Sequence, residues 1–270
     1  VTERHRSRRE FLRIGAVSVG GVGAGCLDRT RTDSVTEPGS VEQMRPVDIS
    51  EMELVFEDRF RKNAIDRSKW QTKYPWDGDA RTHNHDAYAA EDNAFVSDRR
   101  LVLKAENQPR MGKPYTTGVV SAKKVFKPGY FEGVMKLPPV EPGFWPAFWL
   151  TSASYWPPEI DIFEVFGRDP KLYMTYHFMG DDEEPDRVRK TFSGPDFSAE
   201  YHTFAVDWSR ERIVWYVDGV ERFRYAGEYV SDEYMWLILN FGVGANFLAQ
   251  PRPETFPATY EIERVQAWER

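Results

Sequence analysis

Thr203-Phe204-Ala205-Val206-Asp207-Trp208, Ile213-Val214-Trp215-Tyr216-Val217 and Val220-Glu221-Arg222-Phe223-Arg224-Tyr225 decide the fold. Each is a short run rich in β-branched and aromatic residues, the composition that suits a pleated, half-buried surface. Asp218-Gly219 joins the last two, and this pair is the strongest short hairpin signal because both positions accept a positive φ. Working outward, the same texture recurs at Leu101–Ala105, Tyr130–Leu137, Trp236–Phe241 and Tyr260–Trp268, with turn signals every eight to twelve residues. No long stripe of period 3.6 interrupts them. Strands at regular spacing without intervening helices predict an all-β sandwich or barrel rather than a βαβ sheet. The roughly 220 residues from Glu51 onward suit one large sandwich of two antiparallel sheets.

Composition narrows the class further. Of 270 residues, 41% are hydrophobic and 15% aromatic, including 9 Trp, which excludes wholesale disorder. One Cys cannot form an internal disulfide, and with 5 scattered His it gives no zinc-ligand pattern. The formal charge is -7. The first 25 residues carry five Arg against two Glu, so the remainder is more acidic still. An acidic body argues against a nucleic-acid partner.

The N-terminal fifty residues have a different character. Ser7-Arg8-Arg9-Glu10-Phe11-Leu12-Arg13 precedes a short, Gly-rich apolar run. That is the layout of an export signal, and the paired arginines followed by Phe-Leu resemble a twin-arginine motif. Val22-Gly23-Ala24-Gly25-Cys26 resembles a lipobox, which predicts lipid on the Cys26 thiol. From Asp28 to Ser50 the chain is polar and reads as a flexible tether. The expected organisation is therefore a signal over 1–25, a tether over 26–50 and a folded domain over 51–270. The expected location is outside the cell, held by lipid at the outer membrane face.

The densest chemical signal is Trp156-Pro157-Pro158-Glu159-Ile160-Asp161-Ile162-Phe163-Glu164. In a strand Glu159 and Asp161 share a face, and Glu164 falls on the other. One extra residue, a β-bulge at Ile162-Phe163, returns Glu164 to the acidic face. Three carboxylates on one face repel, so at least one holds its proton to higher pH. A protonated acid beside an ionised carboxylate is what retaining glycosidases use, with the two carboxyl groups about 5–5.5 Å apart. The Glu159 and Glu164 Cα atoms would lie roughly 13 Å apart at ~3.3 Å per residue, and long side chains leaning inward close most of that gap. Spacing alone also fits an exposed acidic face or a calcium site with oxygen ligands.

The segment resembles the E-x-D-x-x-E signature of glycoside hydrolase family 16, in its bulged branch of laminarinases, agarases and carrageenases. Further stretches agree in order: Leu54–Phe60, Tyr115–Ser121, Gly129–Glu132, Trp145–Leu150, Asn240–Asn246 and Phe256–Ile262. The resemblance covers about residues 53–268. It implies a β-jelly roll with a substrate cleft across its concave sheet, and a polysaccharide as partner. It also implies Glu159 as nucleophile, Asp161 as its electrostatic helper and Glu164 as acid/base. No catalytic metal or organic cofactor is implied. A structural calcium ion away from the cleft and a monomeric state are expectations of the same origin. A glycan-binding protein on the same fold and a transglycosylase are the rival readings, and the first would typically have lost its carboxylates.

Trp145 and Trp149 are four apart on a strand and share a face, while Phe144, Phe148 and Leu150 take the core side. With Trp156 they are candidates to stack on sugar rings. His177, Asn240 and Asn84 complete the expected substrate-binding set, with His83 and His85 as neighbours of Asn84 on a candidate cleft loop. Trp208, Trp215 and Trp268 read as core. None of the strands assigned to the cleft supplies a basic residue, and Arg168, Arg187 and Arg189 fall on what read as loops. That favours a neutral β-1,3-glucan over the sulfated carrageenans and porphyran, with hydrolysis of agar- or carrageenan-type galactans as the alternative.

Overall fold

Alternation along the chain resolves into two stacked antiparallel sheets in the computed structural model, which describes residues 45–76, 78 and 80–270. One sheet runs in the order Pro185–Ser193, Lys171–Met179, Glu159–Glu164, Phe144–Ser152, Met235–Val243, Val119–Phe126 and Trp70–Gln71. The other runs Val220–Ala226, Arg212–Val217, His202–Trp208, Gly129–Lys136, Ala258–Glu269, Arg100–Ala105 and Ala94–Ser97, with Glu53–Asp58 also paired to Ala258–Glu269. A small parallel pair, Ala87–Ala89 with Tyr115–Thr117, lies outside both. The only helical turns among the described residues are two short 3-10 segments. The all-β, two-sheet reading is what the molecule adopts.

The core lies between the sheets. From the first come Phe148, Leu150, Ile160, Phe163, Met174, Leu237 and Leu239, and from the second Phe131, Phe204, Val206, Trp208, Trp215 and Tyr260. Phe163 approaches Phe204 with ring centroids 4.5 Å apart and Tyr260 at 6.3 Å. One polar fastener crosses this layer: the fully buried Trp215 donates its indole N–H to the Asp161 carbonyl at 2.8 Å. A buried indole needs an acceptor, and here the acceptor is the backbone of the acid strand.

The strand Pro185–Ser193 did not read as one. Its residues are almost all exposed or half-buried and mostly polar, so no apolar alternation marks it. It is the outermost strand of its sheet, where charged side chains blunt the unpaired edge. Arg187 and Arg189 therefore sit on a cleft-sheet strand, not on a loop, and the premise of a cleft without basic strand residues is corrected.

Arg8, Arg9 and Cys26 lie outside the described residues. The tether, expected to reach Ser50, is already docked at Arg45. The Arg45 guanidinium lies 4.6 Å over the Trp268 ring and donates to Gln266 Oε1 at 3.2 Å. Val47, Ile49 and Met52 pack on Tyr130, Ala205, Val214, Tyr216 and Trp268. Three apolar side chains in a polar stretch sufficed to cover this outer face of the second sheet. A chain starting at Glu51 should thus melt about 4 °C below one starting at Arg45, as expected for losing roughly 1–2 kcal/mol of apolar burial. Equal melting temperatures in calorimetry would contradict the docking.

Candidate active site

The strand Glu159–Glu164 pairs with Phe144–Ser152 in the register Asp161↔Trp149, Phe163↔Phe148, leaving Ile162 without a partner. On its other side Asp161 pairs with Thr175 and Glu164 with Tyr173. This is the expected bulge. Ile162 and Phe163 both enter the core, and Glu164 returns to the face of Glu159 and Asp161. All three carboxylates line one cleft of about 1010 Å³.

Each acid is held by a different set of groups. Trp156 donates its indole N–H to Glu159 Oε2 at 3.2 Å. Trp145 donates to Glu164 Oε1 at 2.9 Å, and the Arg189 guanidinium lies 3.7 Å from Glu164 Oε2. His177 pairs across from Glu159, and its Nε2 stands 3.7 Å from Glu159 Oε1 and 3.4 Å from Asp161 Oδ2. Asp161 Oδ2 is buried and makes no hydrogen bond. An orphaned carboxylate oxygen at the centre of a cleft is the kind of cost that functional sites carry. Glu159, Asp161 and His177 present ligand atoms within 4.8 Å of one another and are the described residues that could hold a divalent cation.

Burial and mutual repulsion push the Glu159 and Glu164 carboxyls well above the ordinary range. For Glu159 desolvation leads, followed by the charges of Asp161 and Glu164; for Glu164 desolvation leads, followed by Asp161. Arg189, Trp145 and Arg187 oppose the shift at Glu164. The trio therefore retains a proton where isolated carboxylates would have none, the condition that acid/base catalysis near neutral pH requires.

The expected substrate-binding residues all reach this cleft. Trp156 is 52% exposed and offers an open ring. Trp149 does not: it is 5% exposed, donates its N–H to Asn240 Oδ1 at 2.7 Å, and is covered by His83 at 5.6 Å. Trp149 and the buried Asn240 are the floor of the cleft. Asn84 is exposed beside His83, with 3.4 Å between Nδ2 and Nε2. Burial lowers His83 to about 4 and His85 to about 3, so both rings are neutral near pH 7. His85 Nδ1 accepts from the Ala87 N–H at 3.1 Å, which leaves Nε2–H to donate to Tyr74 Oη at 2.8 Å.

Sequence reasoning missed Trp76, which lines the cleft and stacks on Tyr74 at 4.6 Å, and Trp236, Phe166 and Phe247, which also line it. Trp76 meets His83 at 4.9 Å and the distant Trp149 at 6.5 Å, a neighbour that its local sequence does not announce.

A family model described as "Glycosyl hydrolases family 16" matches residues 81–237, a span that contains all three acids. The chain belongs to this family. It is a glycoside hydrolase. It is 28% identical to a glucan endo-1,3-beta-glucosidase A1 of Niallia circulans over 82% of this chain, spanning only 38% of that longer protein. It is 28% identical to a beta-glucanase of Rhodothermus marinus, over 80% of this chain and 85% of the relative. The laminarinase catalytic domain of Thermotoga maritima superposes with a TM-score of 0.69 at 28% identity, over 81% of this chain and 98% of that one.

The opposing pull of Arg189 gives a signed pH prediction. Replacing Arg189 with Met removes the cation that lowers Glu164, so the Glu164 proton should persist to higher pH. The alkaline limb of the kcat/KM profile should move upward. A limb that moves down or stays fixed, in a variant that folds normally, would mean Glu164 does not set it.

Proposed function

We propose that the protein is an endo-acting, retaining β-1,3-glucanase that hydrolyses laminarin-type chains by double displacement. The observation that carries this reading is the bulged strand that gathers Glu159, Asp161 and Glu164 on the floor of one cleft. Relatives named for endo-1,3-beta-glucan hydrolysis support the substrate. In this mechanism Glu159 attacks the anomeric carbon while Glu164 gives its proton to the departing glycosidic oxygen. Glu164 then takes a proton from water, which displaces Glu159 with a second inversion. His177, whose Nε2 lies 3.7 Å from Glu159 and 3.4 Å from Asp161, positions both acids. Trp145 and Arg189 hold Glu164. Trp156, exposed in the cleft lining, offers a ring face to a sugar. The intact trio favours this over glycan binding alone.

During early turnover on laminarin, proton NMR should show the new reducing ends first as the β-anomer. A first-formed α-anomer would refute the two-step route. Glu159→Gln and Glu164→Gln should each lower kcat by about 10²–10⁴-fold while leaving the fold intact.

We further propose export by the twin-arginine route, with lipid on Cys26 holding the enzyme at the outer membrane face. The support is the Arg8-Arg9 pair and the Val22–Cys26 stretch. Cys26→Ser should release the enzyme to the medium; a variant that stays membrane-bound would contradict the anchor.

A further inference from the structure

The acid strand divides the cleft into two chemically different flanks. On one side stand Phe144–Ser152 and Met235–Val243 with the aromatic residues Trp149, Trp236 and Trp76. On the other stand Lys171–Met179 and the edge strand Pro185–Ser193, and this flank is basic. Arg187 and Arg189 are two apart on the edge strand, so they share a face, about 7 Å from each other along the chain. Both line the cleft, as does Arg168 from the loop after Glu164. Arg168 and Arg189 approach the same two rings, Phe166 and Tyr173, each at 5.6 Å from both centroids.

Three guanidiniums on one wall repel one another, and among the described residues only Arg189 of the three has a carboxylate within ion-pair distance. Glu164 faces Arg189. Asp169 is engaged by Lys171 at 3.2 Å and by the Tyr173 hydroxyl at 3.2 Å. Among the described residues no carboxylate forms an ion pair with Arg168 or Arg187. The Arg168 guanidinium donates only a long bond, 3.4 Å, to Tyr173 Oη. Yet the protein as a whole carries a formal charge of -7, so this wall is a local exception. A neutral glucan would gain no Coulomb energy from it. A planar guanidinium fork matches a sulfate or carboxylate, with two parallel N–H···O bonds.

We propose that this flank recognises an anionic substituent, a sulfate ester or a carboxylate, carried by the glycan chain beside the cleavage site. The proposal rests on the glucanase reading for the backbone of that chain and adds its decoration. Arg168 and Arg187 supply the guanidiniums that no carboxylate pairs with at close range; Arg189 serves mainly Glu164.

The test separates binding from cleavage. Glu159→Gln protein is run through gels containing laminarin, sulfated laminarin or carboxymethylated laminarin at low salt. At least one charged polymer should bind about tenfold tighter than laminarin, and which one identifies the anion. The preference should shrink as salt is raised, because exposed ion pairs are screened. It should disappear when Arg168→Gln and Arg187→Gln are added together in a protein with an unchanged melting temperature. Equal or weaker binding of both charged polymers would overturn the proposal, as would a preference that survives the double substitution. Wild-type protein that leaves laminarin uncut would instead refute the glucanase reading, and the gels would still decide for or against the basic flank.

Discussion

A strand shows every second side chain to a given face, and Glu159, Asp161 and Glu164 miss that count by one. Unpaired Ile162 makes up the difference. Because Ile162 and Phe163 both sink into the core, the bulge is held by packing and cannot slide along the strand without exposing Phe163, which is fully buried. The apolar contact of Phe163 with Phe204 and Tyr260 thus fixes where Glu164 points. Fold stability and active-site geometry share the same few residues, so a cavity at Phe163 would cost several kcal/mol and misplace the acid at once.

Indole N–H groups do much of the remaining positioning. Trp215 reaches from the opposite sheet to the Asp161 carbonyl, Trp145 to Glu164, Trp156 to Glu159 and Trp149 to Asn240. Each ring contributes apolar bulk and one directed donor, which is why tryptophan can both wall a cleft and aim its polar groups. Donors of this kind offer a carboxylate a hydrogen bond without a full positive charge. These bonds draw Glu159 and Glu164 down only partly against burial and the neighbouring carboxylates, which keep both acids easy to protonate, and on Glu164 the Arg189 cation adds to the downward pull.

Much of this was legible in the sequence because the signals were local. The strands around Asp218-Gly219 and the alternation at Phe144–Leu150 announce a sandwich, and the acids between apolar residues announce a bulge. What was hidden depends on distant chain. The edge strand with Arg187 and Arg189 lacks an apolar face, so alternation could not reveal it. Trp149 read as a candidate sugar platform, but His83, brought over it by a loop more than sixty residues earlier, makes it floor. Arg45 to Ser50 read as tether since its few apolar residues find their partners only on the folded second sheet.

In the proposed double displacement the bulge sets Glu159 to attack the sugar and Glu164 to serve the leaving oxygen. An activated 2-deoxy-2-fluoro laminaribioside slows release of the glycosyl-enzyme more than its formation, so the covalent species accumulates. Peptide mass mapping of the trapped enzyme should find one fluorinated laminaribiosyl group, attached at Glu159. A label on Glu164, or turnover with no covalent species at any time, would contradict the assignment.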